Sequence, residues 1–389
     1  MVLEQKFSLN TSLKMKFKLK RMAMLLALVL ILFFLLLFAV VLVNSPGRPQ
    51  PFVDGNGKII EGSLSEKTFV TIGGVRQGMF IKSKNTDNPV LLYFHGGPSF
   101  SNYFLIEKYK PGLEDFFTVC YWEQRGGGLS FNTEIAKESI TYTQLASDAI
   151  EVTNYLRERF GKEKIYIFAH SGGTPFALKA VSENPHLFHA YIAMAQITNQ
   201  AESETIAYEY MISKAQESGD KRALSTLQKF SAITRGKDIL SFFRSPARDN
   251  YMHKMGIGTM HNMRSIFSGV FIPVWLCNAY TFSEKFNIWK SKIIFLPKTN
   301  IHKETIETDF ASKVNELKVP VYFFSGIHDL TVNTSLSKEY YKKLIAPVKG
   351  FYTFENSAHS PLFEEPDKAL KIFKENILIG TNTLSDRFD

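Results

Sequence analysis

The chain has 389 residues, of which 45% are apolar and 21% are charged, a composition typical of a folded protein. The formal net charge is +9, but the first 21 residues hold six basic residues and one acidic residue, leaving 40 basic against 36 acidic residues elsewhere. The remainder of the chain thus has a net charge of only +4, which gives no support to nucleic-acid binding. Two cysteines cannot form a disulfide framework, and the sequence has no metal-ligand spacing and no phosphate-binding glycine loop. We therefore expect no metal and no cofactor.

The amino-terminal segment is predicted to anchor the chain in a membrane. Residues 22–43 carry no charge, and a helix of that length spans about 33 Å, enough to cross a hydrocarbon core. A cleaved signal peptide is the alternative, but its apolar region is usually about 7 to 15 residues long. The basic residues of segment 1–21 predict a cytoplasmic tail, which places the rest of the chain outside the cytoplasm. Membrane lipid is thus an expected partner.

A linker and the first part of an α/β core are predicted next. Residues 44–64 form the linker, which is rich in proline at its start. In residues 65–195 two antiparallel strands turn at Gly73, and strands then alternate with helices. Residues 142–160 have apolar side chains mainly at helical spacing, and Gly161 ends this helix. The pattern predicts a mostly parallel sheet with helices on its faces.

A glycine-containing turn follows the strand predicted at residues 89–94. The letters HGGP at residues 95–98 bring backbone N–H groups to a place where no side chain blocks a substrate oxygen. We expect the N–H of Gly97 to be one donor of an oxyanion hole. The second donor is expected to be the N–H of Gly172, which follows a candidate nucleophile.

That nucleophile belongs to AHSGG at residues 169–173, the most informative segment of the chain. The segment follows the apolar run IYIF and precedes a stretch compatible with a helix, which is the context of a nucleophile elbow. The serine of such a turn, here Ser171, has a strained backbone, and the residues two before and two after it must be small. Three further histidines, His95, His170 and His328, are expected to line or support the site.

Residues 196–308 interrupt the alternation of strands and helices. They contain long helical stretches rich in aromatic residues, including residues 271–282, and no strand that the sheet requires. We predict that they form a helical cap over Ser171. Some of the aromatic side chains are then expected to face the cleft, which favours apolar groups in the substrate.

The second part of the core, residues 309–380, is predicted to complete a catalytic triad. After a nucleophile elbow, an acid and then a histidine follow in chain order, each in a loop after a strand. Asp329 follows the run VPVYFFS, and His359 follows the run GFYTF. An imidazole is needed to accept the proton of Ser171, and a carboxylate is needed to orient the imidazole. Residues 381–389 form a short tail.

Together these motifs resemble the proline iminopeptidase (prolyl aminopeptidase) branch of the α/β-hydrolase superfamily. HGGP at residues 95–98 and EQRGGGLS at residues 123–130 are similar to its HGGPG and DQRGxGxS motifs, and the resemblance extends over residues 65–378. It implies an α/β-hydrolase fold and a serine hydrolase that forms an acyl-enzyme, most typically an aminopeptidase acting on short peptides. Esterases share the motifs, so a carboxylesterase acting on small apolar esters is the alternative. A non-catalytic binding protein at the membrane surface is a third hypothesis.

Three positions depart from that branch. Ser99 and Glu123 replace a glycine and an aspartate of its motifs, and Gly172 replaces a bulky tryptophan that typically follows the nucleophile. The change at Gly172 predicts that one wall of the acyl pocket is open or is supplied by another part of the chain.

The resemblance also implies cap glutamates that bind the ammonium group of a peptide substrate. Glu202, Glu204 and Glu209 lie at the start of the predicted cap and are the candidates. A solvated helix face is the alternative interpretation of all three.

Overall fold

A single eight-stranded sheet forms the centre of the molecule. The computed structural model describes residues 2–388, and the side chains of residues 15–388. The strands are β1 (Leu64–Ile72), β2 (Val75–Ser83), β3 (Val90–Phe94), β4 (Thr118–Trp122), β5 (Ile165–His170), β6 (Phe188–Met194), β7 (Val321–Gly326) and β8 (Lys349–Phe354). They lie in the order β1-β2-β4-β3-β5-β6-β7-β8. β1 pairs with β2 and β2 with β4 in antiparallel fashion, and all other neighbours are parallel, which confirms the predicted fold class.

The amino-terminal segment is one long helix, α1 (Val2–Val43). It begins well before the predicted membrane span at residues 22–43, because the lysines, leucines and methionines that precede the span also favour helix. An 18-residue window within Met15–Val43 has a mean hydropathy of 3.5, and none of this window is buried. By length and composition the helix can cross a membrane, and a signal sequence shares these properties.

Helices cover both faces of the sheet, so the central strands are apolar along their whole length. Every residue of β3, β4 and β5 is buried. The predicted helix at residues 142–160 is confirmed: the Thr141 side chain accepts a hydrogen bond from Gln144 N at 3.1 Å, and Gly161 ends it with φ +61°. The helices that flank the sheet are α2 (Tyr103–Tyr109), α3 (Tyr142–Phe160) and α4 (Thr174–Glu183).

A helical region between β6 and β7 lies where the cap was predicted. The expected stretch 271–282 is not one helix, because the chain becomes extended at Cys277 before Thr281 and Glu284 form a capping box that starts a new helix. One π-helical turn, Phe267–Phe271, precedes the helix Ile272–Leu276, and another, Ser291–Phe295, follows the helix Phe282–Lys290. The helices are α5 (Gln200–Glu217), α6 (Lys221–Leu227), α7 (Ile239–Phe243), α8 (Pro246–Met255), α9 (Ile272–Leu276), α10 (Phe282–Lys290) and α11 (Ile301–Glu307).

The segment predicted as a linker is attached to this helical region. The N–H groups of Gly47 and Arg48 both donate to the carbonyl of Asn278, at 3.1 and 3.2 Å. Beyond β7 the chain adds α12 (Thr334–Lys343), α13 (Pro361–Glu364) and α14 (Pro366–Ile372).

Candidate active site

Ser171 lies directly after β5, in the sharp turn that connects this strand to α4. Its φ of +50° is in the left-handed region, which non-glycine residues rarely adopt. The neighbouring backbone is packed tightly: a Cβ on Gly173 would lie 2.7 Å from the carbonyl oxygen of His95. Only glycine fits there, so the local sequence and the strained turn agree with the expected elbow.

His359 and Asp329 lie beside Ser171 and form a hydrogen-bonded chain with it. Asp329 Oδ2 is 2.8 Å from His359 Nδ1, and His359 Nε2 is 2.7 Å from Ser171 Oγ. Because a carboxylate can only accept, His359 carries its proton on Nδ1, and Nε2 is left to accept the Ser171 hydroxyl proton. The other oxygen of Asp329 accepts the N–H groups of Thr331 and Val332, at 2.9 and 3.0 Å, which fixes the carboxylate.

One of the other histidines, His170, supports this chain, whereas His95 binds the backbone of Gly96 and Gln124. His170 Nε2 lies 2.9 Å from the carbonyl oxygen of His359, and Asn102 Nδ2 lies 3.4 Å from His170 Nδ1. The asparagine donates, so His170 in turn donates to the backbone of His359. Burial holds the pKa of His170 well below its usual value, and burial lowers that of His95 to about 4, so both imidazoles are neutral. His328 instead stacks on His261, away from Ser171, with 3.8 Å between the ring centroids.

The two glycines expected to supply oxyanion donors both adjoin Pro98. Gly97 precedes Pro98 in the chain, and Gly172 packs against its ring. Gly97 is exposed to the cavity, and its N–H donates to no other group among the described residues. Gly172 has no open space beside it, which agrees with the second predicted alternative, a wall supplied by another part of the chain. A Cβ on Gly172 would lie 2.2 Å from Pro98 Cδ. Proline from the HGGP turn therefore occupies the position where a larger residue would place its side chain.

The EQRGGGLS motif holds the HGGP turn in place. Gln124 receives a hydrogen bond from the N–H of Ser99 at 2.8 Å and donates to the carbonyl oxygen of His95 at 3.0 Å. Arg125 forms a buried, two-pronged ion pair with Asp148 of α3, at 2.7 and 2.8 Å. Gln124 thus supports the HGGP turn directly, whereas Arg125 ties the motif to α3 and to the carbonyl of Gly73.

Glu123 is the buried acid of the same motif. Its carboxylate accepts hydrogen bonds from Ser101, Tyr280 and the N–H of Leu129. Burial raises the pKa of Glu123 to about 7, although these three donors oppose the shift.

A cavity of about 380 Å³ separates Ser171 from the helical region. Ser171, His359 and both candidate oxyanion glycines line it. Much of the remaining wall is apolar, which agrees with the expectation that apolar side chains face the cleft. The apolar lining residues are Pro98, Phe100, Phe104, Leu105, Ile197, Phe243, Met252, Ile266, Val270, Leu296, Pro297 and Val332.

None of the three glutamates expected to bind an ammonium group lines this cavity. Glu202 and Glu209 are exposed on α5, with their side chains on the outer surface. Glu204 is buried, but Arg248 binds both of its oxygens, at 2.5 and 2.7 Å, and neutralises its charge. The expectation for these residues is therefore corrected: the cavity wall takes its acidic group from elsewhere.

That acidic group is Asp249, the one carboxylate among the described residues that line the cavity. Asp249 Oδ1 accepts a hydrogen bond from Arg248 Nη1 at 2.9 Å, while its Oδ2 has no partner within residues 15–388. Burial opposes ionisation, but Arg248 and Lys292 outweigh it and hold the pKa of Asp249 below its usual value. Sequence reasoning missed Asp249 because nothing around it in the chain marks it as special.

Lys292 supplies an opposite charge on the same wall. Its Nζ lies 4.1 Å from the centroid of the Phe100 ring, next to the HGGP turn, and no described acidic group pairs with it. Burial lowers the pKa of Lys292, and the negative charge of Asp249 counteracts this. The cavity thus presents one carboxylate, Asp249, and two cations that have no acidic partner among the described residues, Lys292 and Arg244.

The fold and this geometry define the class of protein. The chain belongs to the α/β-hydrolase family, whose model, described as the alpha/beta hydrolase fold, matches residues 89–242. A similar protein is the probable aminopeptidase YbaC of Bacillus subtilis (strain 168), which is 32% identical over 312 residues, covering 76% of this chain and 91% of that protein.

Solved structures show the same fold at lower identity. A proline iminopeptidase from Mycobacterium smegmatis has a TM-score of 0.57 at 12% identity, covering 81% of this chain and 98% of its own. A proline iminopeptidase-related protein from Thermus thermophilus has a TM-score of 0.52 at 19% identity with the same coverage. An epoxide hydrolase from Bacillus megaterium has a TM-score of 0.51 at 15% identity, covering 80% of this chain and 100% of its own. These likenesses concern the fold.

Proposed function

We propose that this protein is a serine hydrolase that works through an acyl-enzyme. The observation that carries the proposal is the hydrogen-bonded chain from Asp329 through His359 to Ser171 at the base of a cavity. Ser171 Oγ attacks the substrate carbonyl while His359 Nε2 takes its proton and then delivers it to the leaving group. Water, deprotonated by His359, releases the acyl group. The N–H groups of Gly97 and Gly172 stabilise the oxyanion in both steps.

The proposed substrates are short peptides, from which the enzyme releases the amino-terminal residue. The curated relative is named a probable aminopeptidase, which supports this reaction class. Asp249 can accept hydrogen bonds from a substrate ammonium, and Lys292 can pair with a substrate carboxylate. A short peptide with both ends free carries these two charges, so it is complementary to the wall of the cavity.

Hydrolysis of small apolar carboxylic esters is the second candidate. The apolar residues that make up much of the cavity wall favour it, because an ester of this kind has no charge to pair with Asp249 or Lys292. The two activities share the mechanism and differ in whether those charges contribute to binding.

Covalent labelling tests the mechanism. A fluorophosphonate probe is expected to label the wild-type protein and not Ser171→Ala, and turnover is expected to fall by ~10³-fold or more. Ser335→Ala, which changes an exposed serine of α12, is the matched control and should keep both properties. Labelling of Ser171→Ala would contradict the proposal, and failure to label the wild type would favour a non-catalytic binding protein.

We also propose that α1 anchors the enzyme in the membrane, with residues 1–21 in the cytoplasm and the α/β core outside it. The hydropathy of the apolar part of α1 and the basic residues of segment 1–21, in the amino-terminal half of this helix, support this arrangement.

A further inference from the structure

An apolar surface of the helical region lies beside α1. Its side chains come from α9, α10 and the two π-helical turns that adjoin them, and they are 38–66% exposed. Isolated exposed apolar residues need no explanation, but a cluster on adjacent helices does. We name this surface the cap patch; it consists of Phe267, Phe271, Ile272, Leu276, Phe286, Ile293 and Ile294.

Aromatic contacts connect the cap patch to α1. The ring of Phe38, in α1, lies 5.6 Å from that of Phe282. Phe282 contacts Phe286 at 4.9 Å, and Phe286 contacts Trp275 at the same distance. Trp275 in turn lies 6.1 Å from Phe271. The apolar surface of the membrane-anchor helix therefore continues without a break onto the cap patch.

Polar contacts hold the end of α1 against α10. Lys285 Nζ donates to the carbonyl oxygen of Asn44 at 2.6 Å, to Ser45 Oγ at 2.9 Å and to the carbonyl oxygen of Trp275 at 2.7 Å. Pro46 and Thr281 form a β-bridge immediately beyond. These contacts fix where the helical region stands relative to the end of the anchor.

We propose that the cap patch docks on the bilayer that α1 crosses, with lipid hydrocarbon as its partner; the proposal rests on the proposed anchoring. Phe38 precedes the end of α1 at Val43 by five residues, which is about 7.5 Å along the helix axis. A group that contacts Phe38 lies at the depth of interfacial apolar side chains, which enter the headgroup and acyl boundary by roughly 5–10 Å.

The charges around the cap patch agree with this partner. Glu284 is the only acidic residue in segment 265–295, and Lys67 pairs with it at 2.9 Å. Docking therefore leaves no unpaired carboxylate in the hydrocarbon, which would be costly. Lys290 is exposed beside the patch and is suited to anionic headgroups.

Docking would also position one wall of the active site. The π-helical turns that carry Phe267 and Ile294 on the outside carry Val270 and Lys292 on the inside, where these residues line the cavity. The two π-helical turns thus face the cavity of Ser171 on their inner side and would face lipid on their outer side.

Fluorescence quenching tests the docking on the full chain. The protein is reconstituted into vesicles of phosphatidylcholine and phosphatidylglycerol, with one NBD fluorophore on Ile294→Cys. The native Cys120 and Cys277 are only 0% and 5% exposed, so they do not compete for the label. Leu30→Cys within α1 is the positive control. Ile345→Cys is the matched negative control, since Ile345 is 63% exposed but precedes β8, at the opposite end of the sheet from Ser171.

In the bilayer the Ile294 and Leu30 probes are expected to emit at shorter wavelength and to be quenched. Lipids brominated near the headgroup should quench the Ile294 probe, and lipids brominated near the middle of the acyl chain should quench the deeper Leu30 probe. The Ile345 probe should show neither effect. Quenching at Leu30 with none at Ile294 would overturn the docking proposal and leave the anchor intact. A blue shift at Ile294 without quenching would mean that protein covers the patch, which also overturns it. Absence of quenching at Leu30 would overturn the anchor itself. Phe267→Cys repeats the test if Ile294→Cys does not fold.

Discussion

Ser171 adopts a left-handed backbone conformation that costs about 1–3 kcal/mol for a residue with a side chain. Tight packing holds it there. A Cβ on Gly96 would lie 3.0 Å from Ser171 Cβ, and one on Gly173 would lie 2.7 Å from the carbonyl oxygen of His95. Gly96 and Gly173 therefore allow the backbone of the HGGP turn to approach the backbone around Ser171. The left-handed conformation of Ser171 then directs its hydroxyl towards His359.

Gly172→Ala tests whether Pro98 closes the space beside the proposed nucleophile. The added methyl group would lie 2.2 Å from Pro98 Cδ, so the HGGP turn must move. We expect a loss of about 1–3 kcal/mol in the free energy of unfolding, from overpacking, and a fall in turnover of ~10²-fold, from the displaced oxyanion donor. Urea unfolding and turnover of an ester measure the two effects. Gly55→Ala, with no atom within 4 Å of its Cβ, is the control, and equal behaviour of both variants would refute the prediction.

Asp249→Asn tests the substrate class. An aminoacyl chromogenic amide with a free ammonium should be cleaved much faster than its N-acetylated form, because acetylation removes the charge that Asp249 is proposed to bind. The substitution is expected to cost about 1–3 kcal/mol of transition-state binding on the free substrate, the scale of one charge-assisted hydrogen bond. Steady-state kinetics on both substrates measure this.

The control for Asp249→Asn is Glu202→Gln, which removes an exposed carboxylate outside the cavity. It should leave both rates unchanged. Equal rates on free and acetylated substrates in the wild type, with no response to Asp249→Asn, would reject the aminopeptidase and favour the esterase.

Among the secondary-structure elements, those predicted correctly are the ones that local patterns define. β5, β7 and β8 are short apolar runs, and each ends in the loop that carries Ser171, Asp329 or His359. Their order along the chain sufficed to predict that the three side chains meet. The role of Glu204 was not predictable in this way, because its partner Arg248 is 44 positions distant and only tertiary packing brings them together. The break at Cys277 was missed for a related reason, since aromatic residues fit a helix equally well on either side of it.

The loop after β4 carries a testable dependence on pH. Burial raises the pKa of Glu123 to about 7, whereas an unfolded glutamate titrates near about 4.3. The folded state therefore binds the proton more tightly, so this contribution to stability is fully present below about pH 4 and is lost as the pH rises towards 7. We expect the free energy of unfolding of the wild type to fall by roughly 3 kcal/mol relative to Glu123→Gln over this range.

Chemical unfolding of the detergent-solubilised full chain between pH 4 and pH 8 measures this difference. Glu364, whose pKa burial also raises to about 7, is present in both proteins, so its effect cancels. Parallel curves for the wild type and Glu123→Gln would show that Glu123 stays ionised in the folded state.

At the scale of the whole molecule, the distribution of charge separates the amino terminus from the rest. Six of the first 21 residues are basic, whereas the remaining 40 basic residues are almost balanced by 36 acidic ones. Hydropathy and charge are properties of the sequence alone, so they sufficed to predict a candidate anchor. They carry no information on what the anchor contacts. The packing of Phe38 on Phe282 and the three hydrogen bonds of Lys285 emerge only from the folded chain.

The proposed orientation predicts which parts of the chain an impermeant reagent can reach. Because basic residues precede the apolar span 22–43, we expect Ile379→Cys, near the carboxyl terminus and 67% exposed, to react with an impermeant maleimide on intact cells. Phe17→Cys, in the basic segment and also 67% exposed, should react only after the cells are permeabilised. The native cysteines are buried, so each variant reports on one site. The reverse pattern would place the α/β core in the cytoplasm, and labelling of both sites without permeabilisation would mean that α1 does not span the membrane.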